Sequence, residues 1–591
     1  MCGIAGVVSI HPDIKETIEK LVTLQSHRGP DGPSFFLDKG NGVALGFNRL
    51  AIVDLRDGIQ PMIDNEVVVV FNGEIFNYKQ IYDELLTDGI KINGSITEVS
   101  VIAALYKSKG MNFLHKLNGM FVISIFDRVR KTLIIARDRF GIKPLFYSRT
   151  QSDFTFASEI TPIKLCTRSL SISEQQLRNF YTLGYIPSPF TIFKEIFQLE
   201  PASYLVFDCS SFQLKKIQWY TLSYQKDYAI SEEEAAEQLA LQLRGSSKLW
   251  SNSEVPISFQ VSGGIDSALL AGIESKNSCT PVSTYTLGLN DAELSRWDER
   301  ALSMISATQF RSNHHEVLLY SGMVKDEITN IVRHLGQPYA GGIPSWFIFR
   351  EISKAFKVSI TGTGADELFG NYNRACYFSD LGLNENSGML SYENFARFMR
   401  EKLSINRNNK IDKILSEDIL NLTSPTEELM YEEFRNISKR SFDLSDALSL
   451  FCMRYQLADE FLLMTDQLSM AHGVEARTPY LDHKLVEFAF TIPENLKSTK
   501  FNYKSLLKKV ARIYLPNEVI NAPKKGFSLP YSIYMRGELK DDFISSTSKF
   551  PYKSEFFIND IVGPMLSGDD SQILTNWAGY MAAKSIANLQ N

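Results

Sequence analysis

Two halves of different class are predicted along this chain. The first is a strand-dominated α+β half of stacked antiparallel sheets, and the second an α/β half built on a parallel sheet. One observation is length, since 591 residues are too many for a single hydrophobic core. Another is the run from Cys2 to Glu159, where β-branched and aromatic strand segments follow one another with few long helical patterns between them. The third is the stretch from Pro256 to Ile273, where a short strand, a Gly pair and a helix start succeed one another and further strand–helix alternation follows.

Composition excludes several function classes. At 44% hydrophobic and 22% charged residues the chain has an ordinary soluble globular make-up. A net charge of −6, with no basic stripe, argues against a nucleic-acid partner. The six cysteines, at 2, 166, 209, 279, 376 and 452, are scattered without a CxxC pair, which fits reduced thiols better than a disulfide framework or a zinc site. No apolar run is long enough to span a bilayer, so no membrane partner is expected. The N-terminus lacks a basic segment, and His11-Pro12-Asp13 interrupts its apolar stretch; no signal peptide is expected, and the expected location is the cytoplasm.

In the first half, Cys2-Gly3-Ile4-Ala5-Gly6-Val7-Val8-Ser9-Ile10 reads as a strand of small residues directly behind Met1. Removal of Met1 would place a thiol on the residue that carries the free α-amine. That amine has a pKa of about 8, close to a thiol's, and can act as the thiol's own base. Taken alone, Cys2 is more simply a small apolar residue in a buried strand. His27-Arg28-Gly29-Pro30-Asp31-Gly32 is a turn-rich loop, and Leu45 to Asp54 is a strand carrying Arg49. Val67 to Phe71 is a β-branched strand that runs into Asn72-Gly73-Glu74. Asn-Gly after a strand is ordinarily a hairpin turn. Here it also sets a side-chain amide beside a backbone N–H, the pair of donors an oxyanion hole needs. Leu117 to Asp127, Leu133 to Tyr147 and Phe154 to Glu159 continue the strands. From about 207 to 232 the strand pattern fades, and this stretch is expected to be a connector.

The second half opens on a helical pattern from Glu232 to Leu249, whose acidic first turn complements the helix dipole. Val261-Ser262-Gly263-Gly264-Ile265-Asp266-Ser267 then joins a strand to a helix. Glycines let backbone N–H groups approach phosphate oxygens, the helix N-terminus favours negative charge, and Ser262 and Ser267 add hydroxyl donors. Asp266 suits a Mg²⁺ that travels with the phosphates. No Lys follows the glycines, so this is not the Walker-type loop. The SGGxDS pattern is similar to the pyrophosphate loop of ATP pyrophosphatases. Val282 to Gly288 is the next strand, and His314-His315-Glu316-Val317 opens the one after. Adjacent histidines on a strand face opposite ways, so a shared metal ion is not expected there. Val358 to Ile360 leads into Thr361-Gly362-Thr363-Gly364-Ala365-Asp366-Glu367-Leu368-Phe369-Gly370, another strand with a Gly-rich turn. Residues 380–445 are polar and poor in motifs, and are expected to form helices and loops of a cover.

The motifs MCGIAG, HRGPDG, RLAIVDL, FNGEIFN, LNGMF and RDRFGIKPLFY, in this order, resemble the glutaminase domain of class II glutamine amidotransferases. With SGGIDS, TGTGADELFG, SMAHGVEARTPYLD and PKKGF after them, the chain resembles the glutamine-hydrolysing asparagine synthetase family from residue 2 to about 530. The resemblance implies an N-terminal-nucleophile αββα sandwich over 1–206, a linker over 207–232, and a Rossmann-like ATP-pyrophosphatase domain over 233–591. It implies that Cys2 is the nucleophile, that Asn72 and Gly73 form the oxyanion hole, and that glutamine is held by Arg49, Leu50, Ala51, Ile52, Val53, Asn72, Gly73 and Glu74. Arg49 would pair with the α-carboxylate, and Glu74 would help to hold the α-amine. For ATP it implies Gln260, Ser262, Gly263, Gly264, Asp266, Ser267, Leu287, Thr361, Gly362, Asp366 and Lys524, with Asp266 and Asp366 as ligands of Mg²⁺.

Three departures stand out. Ser95-Ile96-Thr97-Glu98-Val99 has Ile96 where the family has an Asp for the α-amine, which predicts weaker glutamine binding or use of free ammonia. Thr363 replaces an acid near the acceptor and cannot act as a base near neutral pH. Gly336-Gln337-Pro338-Tyr339-Ala340-Gly341 lacks acids present in many relatives, so the acceptor side is expected to be short of two or three acids. The reading is a glutamine-hydrolysing, ATP-dependent amide ligase making asparagine from aspartate through an acyl-adenylate, its partners being the small molecules glutamine, ATP and a carboxylate acceptor. The alternatives are another carboxylate, such as a sugar uronic acid, an ammonia-dependent enzyme with an impaired glutaminase, or a non-catalytic scaffold. The oligomeric state is left open by the sequence, a homodimer included.

Overall fold

The computed structural model describes residues 2–590 apart from Asn93, Arg168, 290–297, Asn371, Asn373, 375–376, 378–389, Asn409 and 524–528. In chain order the first-half strands are β1 (Gly3–Ser9), β2 (Pro33–Asp38), β3 (Val43–Asn48), β4 (Met62–Ile63), β5 (Val67–Ile75), β6 (Gly119–Asp127), β7 (Thr132–Arg137), β8 (Phe146–Arg149), β9 (Asp153–Ala157), β10 (Ile196–Gln198), β11 (Ser203–Asp208) and β12 (Leu214–Gln218). Those of the second half are β13 (Ile257–Gln260), β14 (Ser283–Leu289), β15 (Asn313–Leu319), β16 (Val358–Ile360) and β17 (Glu475–Arg477).

Two six-stranded antiparallel sheets, ordered β10-β8-β9-β1-β3-β2 and β12-β11-β7-β6-β5-β4, form the first half. Side chains on a strand alternate between faces, and the sequence exploits this period. Ile4 and Val8 of β1 and Val68 and Val70 of β5 turn inward into one core between the sheets. Their neighbours Ala5 and Val7 pack outward with Ile14, Ile18 and Val22 of helix Ile14–Thr23. Val67, Val69 and Phe71 pack outward with Ile81 and Leu85 of helix Tyr78–Thr87 and with Val101 and Ile102 of helix Glu98–Lys109. Helix, sheet, sheet, helix is the αββα layering that the motifs imply.

Three first-half expectations change. The strand expected from Leu45 to Asp54 ends at Asn48, so Arg49 to Asp54 form the loop after β3. Asn72-Gly73 is not a turn: β5 continues through it to Ile75, paired with β6 in the register Asn72↔Val122 and Gly73↔Phe121. The stretch from 207 is not yet connector either, because β11 runs to Asp208 and β12 pairs with it. Its residues Lys215 to Gln218 are exposed, as suits a lysine-bearing edge strand, and this hid the strand pattern.

The second half carries a five-stranded parallel sheet in the order β15-β14-β13-β16-β17. The chain leaves β13 for β14 and β15 on one side and returns as β16 and β17 on the other. The order therefore reverses beside β13, where a crevice forms at the strands' carboxyl ends. Helix Glu232–Trp250 packs beside helices Ile265–Asn277 and Ser505–Ala511, started by a capping box between Ser231 and Glu234 and anchored by buried Leu239, Leu243 and Trp250. Each such side chain, fully buried, is worth about 1.5–3 kcal/mol. His314 and His315 part to opposite faces as expected: His314 Nδ1 bonds Thr284 Oγ1 at 2.8 Å, while the His315 ring stacks on Tyr285. No helix among the described residues is long and apolar enough to cross a membrane.

Candidate active sites in the two halves

Cys2 stands at the entry to β1 and is buried, and this burial pushes its thiol pKa up. Its backbone nitrogen donates to Asn72 Oδ1 at 3.0 Å. The other end of that amide, Asn72 Nδ2, is a buried donor with no hydrogen-bond partner among the described residues. Gly73 follows with φ +144°, and a Cβ there would lie 1.9 Å from the Met120 carbonyl oxygen; only glycine fits.

One cavity brings together Cys2, Arg49, Leu50, Ile52, Val53, Gly73 and Glu74 of the expected glutamine site and adds Asp54, Thr97 and Glu98, while Asn72 is not among its walls. Arg49 is fixed by donating Nη2–H to the carbonyls of Asp54 (2.9 Å) and Leu55 (3.0 Å). Ala51 is not a wall; its N–H donates to Asp31 Oδ2 at 2.7 Å. Ile96 is 39% exposed and also lies outside the wall. The acids in the cavity are strongly perturbed. Burial, then the charge of Glu475, pushes Glu74 up to about 7 against the pull of Arg477. Burial and Glu74 raise Glu98 well above the usual range, and burial raises Asp54.

In the second half the loop after β13 is tied by its own hydroxyls: Ser262 N–H donates to Ser267 Oγ at 3.0 Å and Gly264 N–H to Ser262 Oγ at 3.2 Å. Gly362, after β16, packs so closely that an added Cβ would lie 2.7 Å from the Ser267 nitrogen. Between these turns opens a cavity of about 460 Å³ whose walls include Gln260, Ser262, Asp266, Ser267, Leu287, Thr361, Gly362 and Asp366. Gln260 Nε2 is a buried donor without a hydrogen-bond partner among the described residues. Gly263 and Gly264 shape the loop without lining the cavity, and Lys524 lies outside the described residues.

These two sites fit what the chain resembles by sequence. A glutamine amidotransferase domain model matches residues 1–220, and the asparagine synthase model matches residues 238–581. The chain belongs to the asparagine synthase family. It is a carbon–nitrogen ligase of that family's type. It is 28% identical to "Asparagine synthetase [glutamine-hydrolyzing] 1" of Bacillus subtilis, over 92% of this chain and 89% of the relative. Similar coverage, 91% and 90%, links it at 28% identity to "Amidase chry2" of Gibberella zeae. A "Putative asparagine synthetase [glutamine-hydrolyzing]" of Mycobacterium bovis is 27% identical over 91% of this chain and 89% of its own.

Several groups of this family member escaped the reading of its sequence. Lys504 is 1% exposed, and its Nζ lies 2.7 Å from both Asp266 oxygens and 2.7 Å from Asp366 Oδ1. It neutralises the two carboxylates expected to hold a metal. Its signal was faint: a Lys directly before helix Ser505–Ala511, with φ +56°, opposes the helix dipole. Acids outside the expected set also reach the second cavity. Glu367 and Glu460 line the nucleotide cavity, and burial pushes each up to about 7. Glu367 comes from the turn after β16 and Glu460 from the distant helix Cys452–Leu462, so the local motif near Gln337 could not report them.

The seam between the halves is ionic. Buried Arg28 donates to Glu159 Oε1 (3.1 Å) and Asp466 Oδ2 (2.8 Å), and Lys143 lies 3.5 Å from Asp466 Oδ1. His27, Glu159 and His334 bring three ligand-type atoms within 4.8 Å. Glu159, however, already accepts from Arg28 and contacts His27 Nε2 through both its oxygens. Against burial, His27 and Arg28 hold it down to about 2, which makes this an ion-pair network. A void of about 10 Å³ lies in the seam, walled by Ile142, Lys143, Thr361, Thr363, Ala476 and Arg477 among others.

Proposed function

We propose that the chain hydrolyses glutamine in its first half and uses the ammonia in its second half to amidate a carboxylate with ATP. The observation that carries this reading is the pairing of two unlike cavities: one walled by the Cys2 thiol, Arg49 and Glu74, and one with a hydroxyl-lined Gly loop beside two carboxylates. We assign the first function to residues up to about Gln218 and the second to the residues from helix Glu232–Trp250 onward.

In this account the Cys2 Sγ attacks the side-chain amide carbon of glutamine. The α-amine of Cys2, freed by loss of Met1, takes the thiol proton and returns it to the departing ammonia. Asn72 Nδ2 and the Gly73 N–H donate to the oxyanion. Arg49 pairs with the α-carboxylate, Glu74 with the α-ammonium, and water releases glutamate from the thioester. Ammonia crosses the seam through the void beside Thr363, which is of water size.

In the second cavity the acceptor carboxylate oxygen attacks the α-phosphorus of ATP and pyrophosphate leaves; ammonia then attacks the acyl carbon and AMP leaves. Ser262, Ser267 and the loop N–H groups hold the phosphates, Gln260, Leu287, Thr361 and Gly362 border the nucleoside, and Lys524 acts on the phosphates. Asp266 and Asp366 fit Mg²⁺: both reach one cation, Lys504, and the phosphates offer that lysine another partner. Bound Mg²⁺ would offset the charge of the leaving pyrophosphate. Glu367 and Glu460, with pKa values near 7, suit the removal of a proton from the attacking ammonia.

Aspartate is the proposed acceptor and asparagine the product, in the cytoplasm, where free thiols such as Cys166 and Cys279 fit. A second reading, a carboxylate on a sugar ring, is favoured by Thr363 and by the Tyr339, Tyr372 and Tyr531 walls, flat amphipathic surfaces suited to a sugar face. Exchange of labelled pyrophosphate into ATP, screened over carboxylates, decides. Aspartate-dependent exchange is the expected result; exchange with a uronic acid alone would establish the second reading, and exchange with no carboxylate would refute both.

A further inference from the structure

The Glu475-Ala476-Arg477-Thr478 segment touches both sites. The Arg477 carbonyl accepts from Thr361 N–H at 2.8 Å, and Thr478 Oγ1 donates to the Thr363 carbonyl. The Arg477 side chain turns the other way, into the first half. It is fully buried, and Nη1 donates to the carbonyls of Trp250 (2.9 Å) and Asn252 (2.7 Å) while Nε donates to Glu475. Its guanidinium lies over the Phe76 ring at 5.3 Å. One group is left over: Nη2, buried, makes no hydrogen bond among the described residues and lies 3.5 Å from Glu74 Oε1.

We propose that Arg477 is a positioning residue of the glutamine site, lent by the synthetase half, which keeps the Glu74 carboxylate aimed and charged for the α-ammonium of glutamine. The inference rests on the reading of the Cys2 cavity as a glutaminase. A planar guanidinium held through Nε and Nη1 has the direction of its remaining Nη2 donors fixed. The need for it is visible in the surroundings. Burial first, then Glu475 on β17 and, less, Asp54 on the loop after β3 press Glu74 toward its neutral form, and Arg477 opposes them; Glu98 on helix Glu98–Lys109 faces the same group with its own carboxyl raised by burial and by Glu74. A neutral Glu74 cannot pair with an ammonium, and Ile96 adds no second carboxylate. Glu74 sits near 7, so its charged form is lost as pH falls through that value. Arg477 pulls the pKa down, and its removal shifts the loss to higher pH.

The test is glutamate release from glutamine by the full chain across pH 5.5–9, a range chosen to span about 7, for the parent, Arg477→Gln and Arg477→Lys. Expected for Arg477→Gln is a KM for glutamine raised about tenfold or more, with the loss falling on KM rather than kcat, and an acid limb of kcat/KM moved up by about one pH unit. Arg477→Lys should recover part of both. Glu74→Gln, with Arg477 in place, should weaken glutamine binding and abolish the acid limb, and where Arg477→Gln fails to fold, Arg477→Lys carries the same comparison of KM and acid limb. Unmoved KM and acid limb in a folded variant overturn the proposal alone. A parent that releases no glutamate overturns the glutaminase reading and the proposal with it.

Discussion

The glutamine cavity and the nucleotide cavity are built in opposite ways. In the first, Cys2, Asn72, Gly73 and Glu74 sit on or beside paired strands, and the register of β5 against β6 fixes where each group points. In the second, the groups sit on the Gly loops and first helical turns beyond β13 and β16, and side-chain ion pairs rather than ladder bonds tie them to one another, with Lys504 at the centre. A strand-borne site is fixed by backbone hydrogen bonds, so it stands formed without ligand. A turn-borne site holds its own charges in a provisional arrangement that ATP must take over. The two halves should therefore fail separately, and by different routes.

Lys504→Met tests that contrast most severely. Removing one partner of a buried ion pair costs about 3–5 kcal/mol. Here it would leave Asp266 and Asp366 facing each other. Carried into ATP binding, that is roughly 150- to 5,000-fold, and pyrophosphate exchange should fall on that scale. Glutamate release should stay within a few-fold of the parent. An equal fall in both activities would break the comparison, because it would mean that the strand-built site leans on the turn-built one.

At the small end is Ile96→Asp. The missing family carboxylate invites a large gain in glutamine use, but residue 96 is 39% exposed and outside the cavity wall. An exposed charge pair is worth about 0.2–1 kcal/mol, so a glutamine titration should show less than about a fivefold change in half-saturation. A larger gain would mean that the loop before helix Glu98–Lys109 closes over bound glutamine and that the cavity is not preformed.

The same contrast decides what could be read from the sequence. In the first half each motif is a strand, or the loop that leaves one, so order and spacing carried Cys2, Gly73 and Glu74 on or beside β1 and β5, and Arg49, Leu50, Ile52 and Val53 on the loop after β3, into one cavity. The errors there are local: Asn72-Gly73 was a turn by dipeptide and a strand by pairing, and β12 was hidden by its exposed lysines. In the second half Ser262, Asp266, Thr361 and Asp366 were legible because they ride on Gly-rich turns. Lys504, Glu460 and Arg477 were not. Each acts on a site built by residues far away in the chain, from a local context that is ordinary for a surface Lys, a helical Glu or a strand Arg. Long-range ion pairs have no period and no fixed spacing, so a single sequence carries at most a faint local sign of them, such as Lys504 placed directly before a helix.

The central claim is that one chain carries two separable chemistries joined by ammonia. Cys2→Ala tests it most directly, with product formation measured from the same preparation using glutamine and then ammonium as nitrogen donor. The account predicts no glutamine-dependent product and ammonia-dependent product at the parent's rate. Loss of both would contradict it, and so would survival of glutamine-dependent synthesis.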